Sequence, residues 1–507
     1  MLHKIPAFPQ TRKKGGESMQ LTKNLEQNMA AINEALRDCG DVVQREFRVG
    51  GNGKLVMLYA DNFVDLEAIR ESILETVMLD YQNGKREGIL QSLLEEAIAI
   101  SEVRKITTVA EICDAVFWGD TVLLMDGNEF ALQATTKKFP NRGVSKAETE
   151  VVGQGPKDAF MEVMAFNIVL TRRRIRDPKL KLKRKKAGRR SRTDIALMYM
   201  EDLVRPELLR KVEQQLDNMD LDAVLDSGGV EQLLENRQFS PFPQLQMTER
   251  PDKTASALLE GRVALLVDNT PYAILLPATL NTFLQAAEDY YERWEIMSFI
   301  RLIRFGAAFL AVALPGLYIA FSVYHPQLMP TALALKIAAT RATIPFSVIG
   351  EVLIMELAFE LLREAGIRLP SPVSSTIGIV GGIIIGSAAV EAGIVSPAVV
   401  IVAALTGICT FVIPNVSIVS AIRISKYLVI LLASLFGIFG VWAALLLLLA
   451  HLASLTSYGI PYLYPFCSSS VNDDVDWEDS IFRLPLSRMK RRPIFAKPAE
   501  RKRKEGE

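Results

Sequence analysis

Up to about residue 298 the chain alternates short apolar runs with stretches whose apolar residues fall three or four apart, the signs of strand and helix. Val56-Met57-Leu58-Tyr59-Ala60-Asp61, then Leu66, Ile69, Ile73, Leu74 and Val77, predicts a strand followed by a helix. The same succession recurs at Ala196-Leu197-Met198-Tyr199-Met200-Glu201, then Leu208, Leu209, Val212 and Leu216. A hairpin recurs as well. Thr121-Val122-Leu123-Leu124-Met125, a turn through Asp126-Gly127 and Phe130-Ala131-Leu132 are echoed by Val263-Ala264-Leu265-Leu266-Val267, Asn269-Thr270-Pro271 and Ala273-Ile274-Leu275-Leu276. Both echoes are offset by roughly 140 residues, which predicts two similar α/β subdomains unless the patterning is convergent. The expected borders are a basic tail at 1–19, one α/β subdomain at 20–150 and a second at 151–298.

The pattern then changes to long apolar segments at 305–323, 345–362, 374–392, 398–413 and 428–452, which predict a helical, polytopic membrane domain over 299–466. The first follows Arg301 and Arg304 and contains Pro315, which membrane helices tolerate. Upstream of the second, 331–341 reads as an amphipathic stretch with Lys336 and Arg341. The second segment carries Glu351, Glu356 and Glu360, with Arg363 just after, so it cannot face lipid. Glu356, Glu360 and Arg363 share a helical face and Glu351 lies off it. That face reads either as an ion pathway or as an ion-paired stripe that locks helices or subunits together. In the third segment Gly378, Gly382 and Gly386 stand four apart, a spacing that lets helices pack closely. Glu391 falls near the turn that follows, and Arg423 and Lys426 are expected in a loop before the last span. The polar tail, 467–507, is first acidic (Asp473, Asp474, Asp476, Glu478, Asp479) and then basic (Arg488, Lys490, Arg491, Arg492). With both termini cytosolic the number of full crossings is even, and the Glu-bearing segment is the one expected to fall short of a full span.

Composition sharpens this picture without redirecting it. The 507 residues balance 58 Lys+Arg against 58 Asp+Glu, yet half are hydrophobic. A mean hydropathy of +0.20 alongside so much charge means that the two are segregated along the chain. Cys39, Cys113, Cys409 and Cys467 are too scattered for a disulfide framework, and three histidines are poor material for a metal site or a hydrolytic triad. No enzyme, metal or cofactor is therefore expected. The N-terminus lacks the apolar core of a secretory signal, which places the first domain in the cytosol.

Charge concentrates in 172–192, through Arg172, Arg173, Arg174, Arg176, Lys183, Arg184, Lys185 and Lys186, with only Asp177 opposing in sequence. It reads either as a cytosolic loop facing anionic lipid or as a solvated loop; without interleaved aromatics it does not read as a nucleic-acid site. A second unusual stretch, 239–252, holds Phe242, Pro243, Gln244, Glu249, Arg250 and Asp252. Its prolines argue against helix and leave two readings, a rigid docking arm or a connection covering the second sheet.

The strings Pro241-Phe242-Pro243-Gln244, Thr248-Glu249-Arg250-Pro251-Asp252, Tyr324-His325-Pro326, Glu360-Leu361-Leu362-Arg363-Glu364-Ala365-Gly366 and Gly378-Ile379-Val380-Gly381-Gly382 together give the chain a family likeness. From about Leu21 to Phe466 it resembles the A subunit of bacterial spore germinant receptors. Two strings depart from the family pattern, with Gln154 before Gly155-Pro156 and Ser387 after Gly386. The resemblance implies a subunit in the inner membrane of a dormant spore, working with a transporter-like B subunit and a lipoprotein C subunit to trigger germination in response to nutrients. It further implies an oligomeric, nutrient-gated ion channel, with a non-conducting scaffold of the receptor as the alternative.

Overall fold

The computed structural model of the chain describes residues 19–49, 53–75, 103–138, 147, 149–368, 386–467 and 477–502. Gly378, Gly382, Asp473, Asp474 and Asp476, the tail before residue 19 and most of segment 374–392 lie outside the described residues. The chain divides into two compact units. One is Met1–Val144 with Met161–Lys186 and Asp194–Glu201; the other is Ser145–Phe160 with Ala187–Thr193 and Asp202–Glu507.

The first unit holds α1 (Leu25–Ala35), β1 (Val42–Val49), β2 (Gly53–Ala60), a helical stretch (Leu66–Ala68 and Ile69–Leu74), β3 (Val103–Ile106), α2 (Val109–Trp118), β4 (Thr121–Met125) and β5 (Ala131–Ala134). These strands form one antiparallel sheet in the order β1-β2-β4-β5-β3. Strand alternation divides β2 between two cores: Val56, Leu58 and Ala60 pack with Met29 of α1 and Ile112 and Val116 of α2, whereas Leu55, Met57 and Tyr59 pack with Ile69 and Ile73. α2 begins where Thr108 and Glu111 form a reciprocal cap and ends at Gly119 in the left-handed region, φ 91°. The unit also takes in α3 (Met164–Arg172), β6 (Leu180–Ala187) and β7 (Thr193–Met200), although their place in the sequence suggests the second subdomain. Long-range partners draw them there: Arg172 pairs with Asp41, and the amides of Gly40 and Leu182 bond Leu182 O and Asp38 O.

In the second unit α4 (Pro206–Asp217), α5 (Ser227–Leu234), β8 (Gln246–Thr248), α6 (Pro251–Leu259), β9 (Val263–Val267), β10 (Ala273–Leu276) and α7 (Leu280–Leu284) follow. The strand order recurs as β6-β7 and β9-β10-β8, and each element stands roughly 140 residues after its counterpart. The two hairpin turns use Gly127 at φ 83° and Asn269 at φ 68°.

Among the described residues there follow α8 (Trp294–Ile319), α9 (Thr331–Arg341), α10 (Val348–Arg368), α11 (Pro397–Phe411), α12 (Val416–Phe436) and α13 (Ile438–Ser454). α8, continued through Tyr324, and α12 are long and apolar enough to cross a membrane. The segment 428–452 expected as one span is broken, because Gly437 at φ 59° ends α12 and turns the chain into α13. Arg423 and Lys426, expected in a loop, instead lie in the middle of α12.

Candidate functional site

The charged residues of α10 meet partners from three directions. Glu351, in its first turn and fully buried, accepts from Arg341 Nε at 3.1 Å and from the Ser396 amide at 2.7 Å. That position also suits a carboxylate, since a helix N-terminus favours negative charge. One and two turns further on, Glu356 pairs with Lys426 of α12, and Glu360 takes Lys426 at 3.2 Å and Arg423 through both Nε and Nη2. Arg363 reaches Thr410 of α11 at 3.1 Å and lies over the Phe411 ring, 5.1 Å from its centre. Glu356 and Lys426 are almost wholly buried, so their charges are tolerated only as a pair.

Glu356, Glu360 and Arg363 border a cavity of about 50 Å³, room for a water or two, which Thr406, Thr410, Arg423 and Lys426 also line. Glu356 Oε1 has no hydrogen-bond partner among the described residues. Two carboxylates face three cations in this cluster, so it carries no excess of negative charge. Arg423 and Lys426 are the members that sequence spacing missed: they stand more than 60 positions from their partners. The signal that could have found them is two basic residues set so close to an apolar run. Of the glycine series, Gly386 is described, and a side chain there would press on Val400 at 3.2 Å.

The basic stretch is not a loop. Arg172 closes α3 and is fully buried, giving Asp41 two bonds of 2.8 and 2.9 Å and Leu180 O one of 2.6 Å. Arg173 is exposed, Arg174 bonds Leu170 O, and Arg176 stacks on Trp118 at 3.6 Å. Lys183, Arg184, Lys185 and Lys186 belong to strand β6, where Lys183 meets Asp38, Arg184 meets Asp61 and Lys186 meets Asp194. Beyond the strand, Arg189 and Arg190 pair with Asp220 and Asp222. Carboxylates remote in sequence oppose part of the run, so its charge is less concentrated than the sequence alone suggests.

The segment 239–252, read as a docking arm or as a connection covering the second sheet, leaves Phe239 exposed but turns its candidate residues inward. Phe242, Pro243, Gln244, Glu249, Arg250 and Asp252 are all buried, and Pro251 starts helix α6 at its first position, where a missing N–H costs nothing. Gln244 exchanges bonds with the Arg237 backbone, and Phe242 packs 5.9 Å from the His451 ring. Glu249 Oε1 accepts from the Thr149 amide, the Thr149 hydroxyl and the Glu150 amide at 2.6–2.9 Å. Arg250 forks onto Asp252 at 2.8 and 3.1 Å and donates to Glu150 O and Pro156 O, while Tyr291 donates to Asp252 at 2.6 Å. Glu249, Arg250 and Asp252 thus clamp the 149–156 segment to the start of α6.

Comparison with known proteins adds a consistent picture. Residues 30–495 match the family described as Bacillus/Clostridium GerA spore germination protein. The chain is 38% identical to spore germination protein GerLA of Bacillus cereus, over 96% of this chain and 100% of that one. It is 35% identical to spore germination protein KA of Bacillus subtilis strain 168, over 93% and 87%. It is also 38% identical to the uncharacterized membrane protein YfkQ of the same strain, over 93% and 91%. Among solved structures it is similar to the N-terminal domain of the A subunit of the Bacillus megaterium spore germinant receptor GerK3, with TM-score 0.43 and 31% identity over 52% of this chain and 99% of that one.

Proposed function

Because this chain belongs to the GerA family of spore germination proteins, we propose that it is the A subunit of a germinant receptor in the inner membrane of a spore. In this reading it acts with transporter-like B and lipoprotein C subunits as an oligomeric, nutrient-gated ion channel. Its α/β region faces the cytosol and its helices cross the bilayer. The observation that carries the membrane reading is the handling of charge in α10 and α12: apolar helices hold acidic and basic residues that are matched across the helix interface. Outward-facing Ile401, Ile408, Leu431, Phe439, Trp442 and Leu446 are exposed and suit a hydrocarbon surroundings. The chain beyond α13 returns to the α/β portion that precedes α8, with Val204 bridging Ala496, which supports an even number of full crossings.

The paired cluster suits a closed gate. Lys426 and Arg423 neutralise Glu356 and Glu360, and opening requires those pairs to exchange or part. A nutrient-bound partner subunit must then favour the open arrangement by a few kcal/mol, on the order of 5 for a nearly complete switch. One observation favours the alternative, a non-conducting scaffold: saturated ion pairs hold helices together as readily as they gate them. Cation release from spores carrying Glu360→Gln separates the two. A channel predicts altered selectivity or threshold at normal subunit levels, whereas unchanged release at normal levels supports the scaffold.

A further inference from the structure

The described C-terminal segment, 477–502, contains no helix beyond a single 3-10 turn, yet it is fastened at both ends. At its start, Asp479 accepts from Arg301 of α8 at 2.6 Å and from the Tyr290 hydroxyl at 2.5 Å, while Asn281 and Gln285 donate to its carbonyl. Arg301 and Arg304 also converge on Asp289, at 2.8–3.0 Å, and all three side chains are buried. Asp289 alone cannot balance two buried guanidinium groups; the carboxylate of Asp479 supplies the second negative charge. Arg483 completes this end by donating to Asp289 O and Glu292 O, and Ser298 exchanges bonds with its backbone.

At the other end Arg205 donates to Ile494 O and Ala496 O, and the Lys497 amide to Leu203 O. Ile494 and Phe495 are buried with Ile460 and Tyr464. Between the two anchors Leu486 and Met489 wall a cleft of about 300 Å³ that Tyr290 and Tyr291 also line. Arg301 Nη2 and Arg483 Nε lack an acceptor among the described residues, so the charged anchor is incompletely satisfied and its net hold is reduced.

We propose that this segment is a strap that joins the second α/β portion to the foot of α8 and makes them move together, so that a shift at either end reaches the other. The inference goes beyond the germination reading and stands whether or not the helices conduct. Its test is amide hydrogen exchange on the full chain in lipid nanodiscs, comparing Asp479→Asn, Arg205→Gln and the double variant. A strap predicts that each single change raises exchange at both 294–304 and 491–497, on the order of tenfold, and that the double change adds little. Exchange that rises only at the mutated end, with additive effects in the double variant, overturns the proposal. Should Asp479→Asn not accumulate, Tyr290→Phe removes one bond to the same carboxylate with the ring retained. It must also raise exchange at both ends; a rise at 294–304 alone overturns the strap.

Discussion

Arg172 shows what spacing hides at the scale of a residue. It opens the most basic stretch of the chain, yet its guanidinium lies under Phe117, 4.3 Å from the ring centre, and forks onto Asp41. Breaking such a pair strands a buried charge, so Arg172→Ala is expected to cost about 3–5 kcal/mol in chemical denaturation of the full chain, far more than Arg173→Ala. Gly155 is equally local. It sits at φ 111°, and a methyl group there would meet Tyr291 at 2.5 Å. Gly155→Ala should therefore cost roughly 1–3 kcal/mol and free the Tyr291 hydroxyl from Asp252. Burial, then the neighbouring carboxylates Glu235 and Asp226, pushes Glu231 from 4.5 up to about 7. A raised carboxyl favours the protonated fold, so its contribution is complete below pH 4.5 and is lost as pH rises toward 7. Glu231→Gln should gain stability relative to the parent at pH 8 and none at pH 4, read as the pH dependence of Tm.

At the scale of elements, legibility follows the range of the contacts that make them. Strand β2, the β4–β5 hairpin and the β9–β10 hairpin could be read because alternation and turn chemistry are local properties. The break at Gly437 was hidden because hydropathy runs unchanged through it, and only backbone geometry distinguishes one long span from two helices. The basic run is not the loop its charge suggests, because helix α3 and strand β6 carry it, and Asp38, Asp61, Asp220 and Asp222 oppose part of it from other elements. The α10–α12 contact was half legible, since three glutamates in an apolar helix demand partners but do not name them. Glu356→Gln leaves Lys426 buried with half its support and should lower the folded protein recovered from membranes. Glu356→Gln with Lys426→Met removes both charges and should recover most of it. Recovery no better than the worse single change would mean that the pair does more than satisfy itself. Where α13 turns back on α12, a side chain on Gly440 would meet Leu432 O at 1.9 Å, so Gly440→Leu should abolish accumulation of the intact chain in membranes.

For the whole molecule, the α/β elements come first in the chain, the apolar helices with α10 among them follow, and a C-terminal segment closes it. Family membership supplies the setting, spore germination, and the proposed way of working is that matched charges hold helices closed until a partner changes the balance, although the same pairs also suit a scaffold. The most direct test is cation release from spores whose other germinant-receptor genes are deleted, with this gene present or absent, across amino acids, sugars and nucleosides. The account predicts that at least one nutrient class releases cations only when the gene is present. Spores that contain the protein with its partner subunits, yet release cations to no nutrient class or equally without the gene, would contradict it.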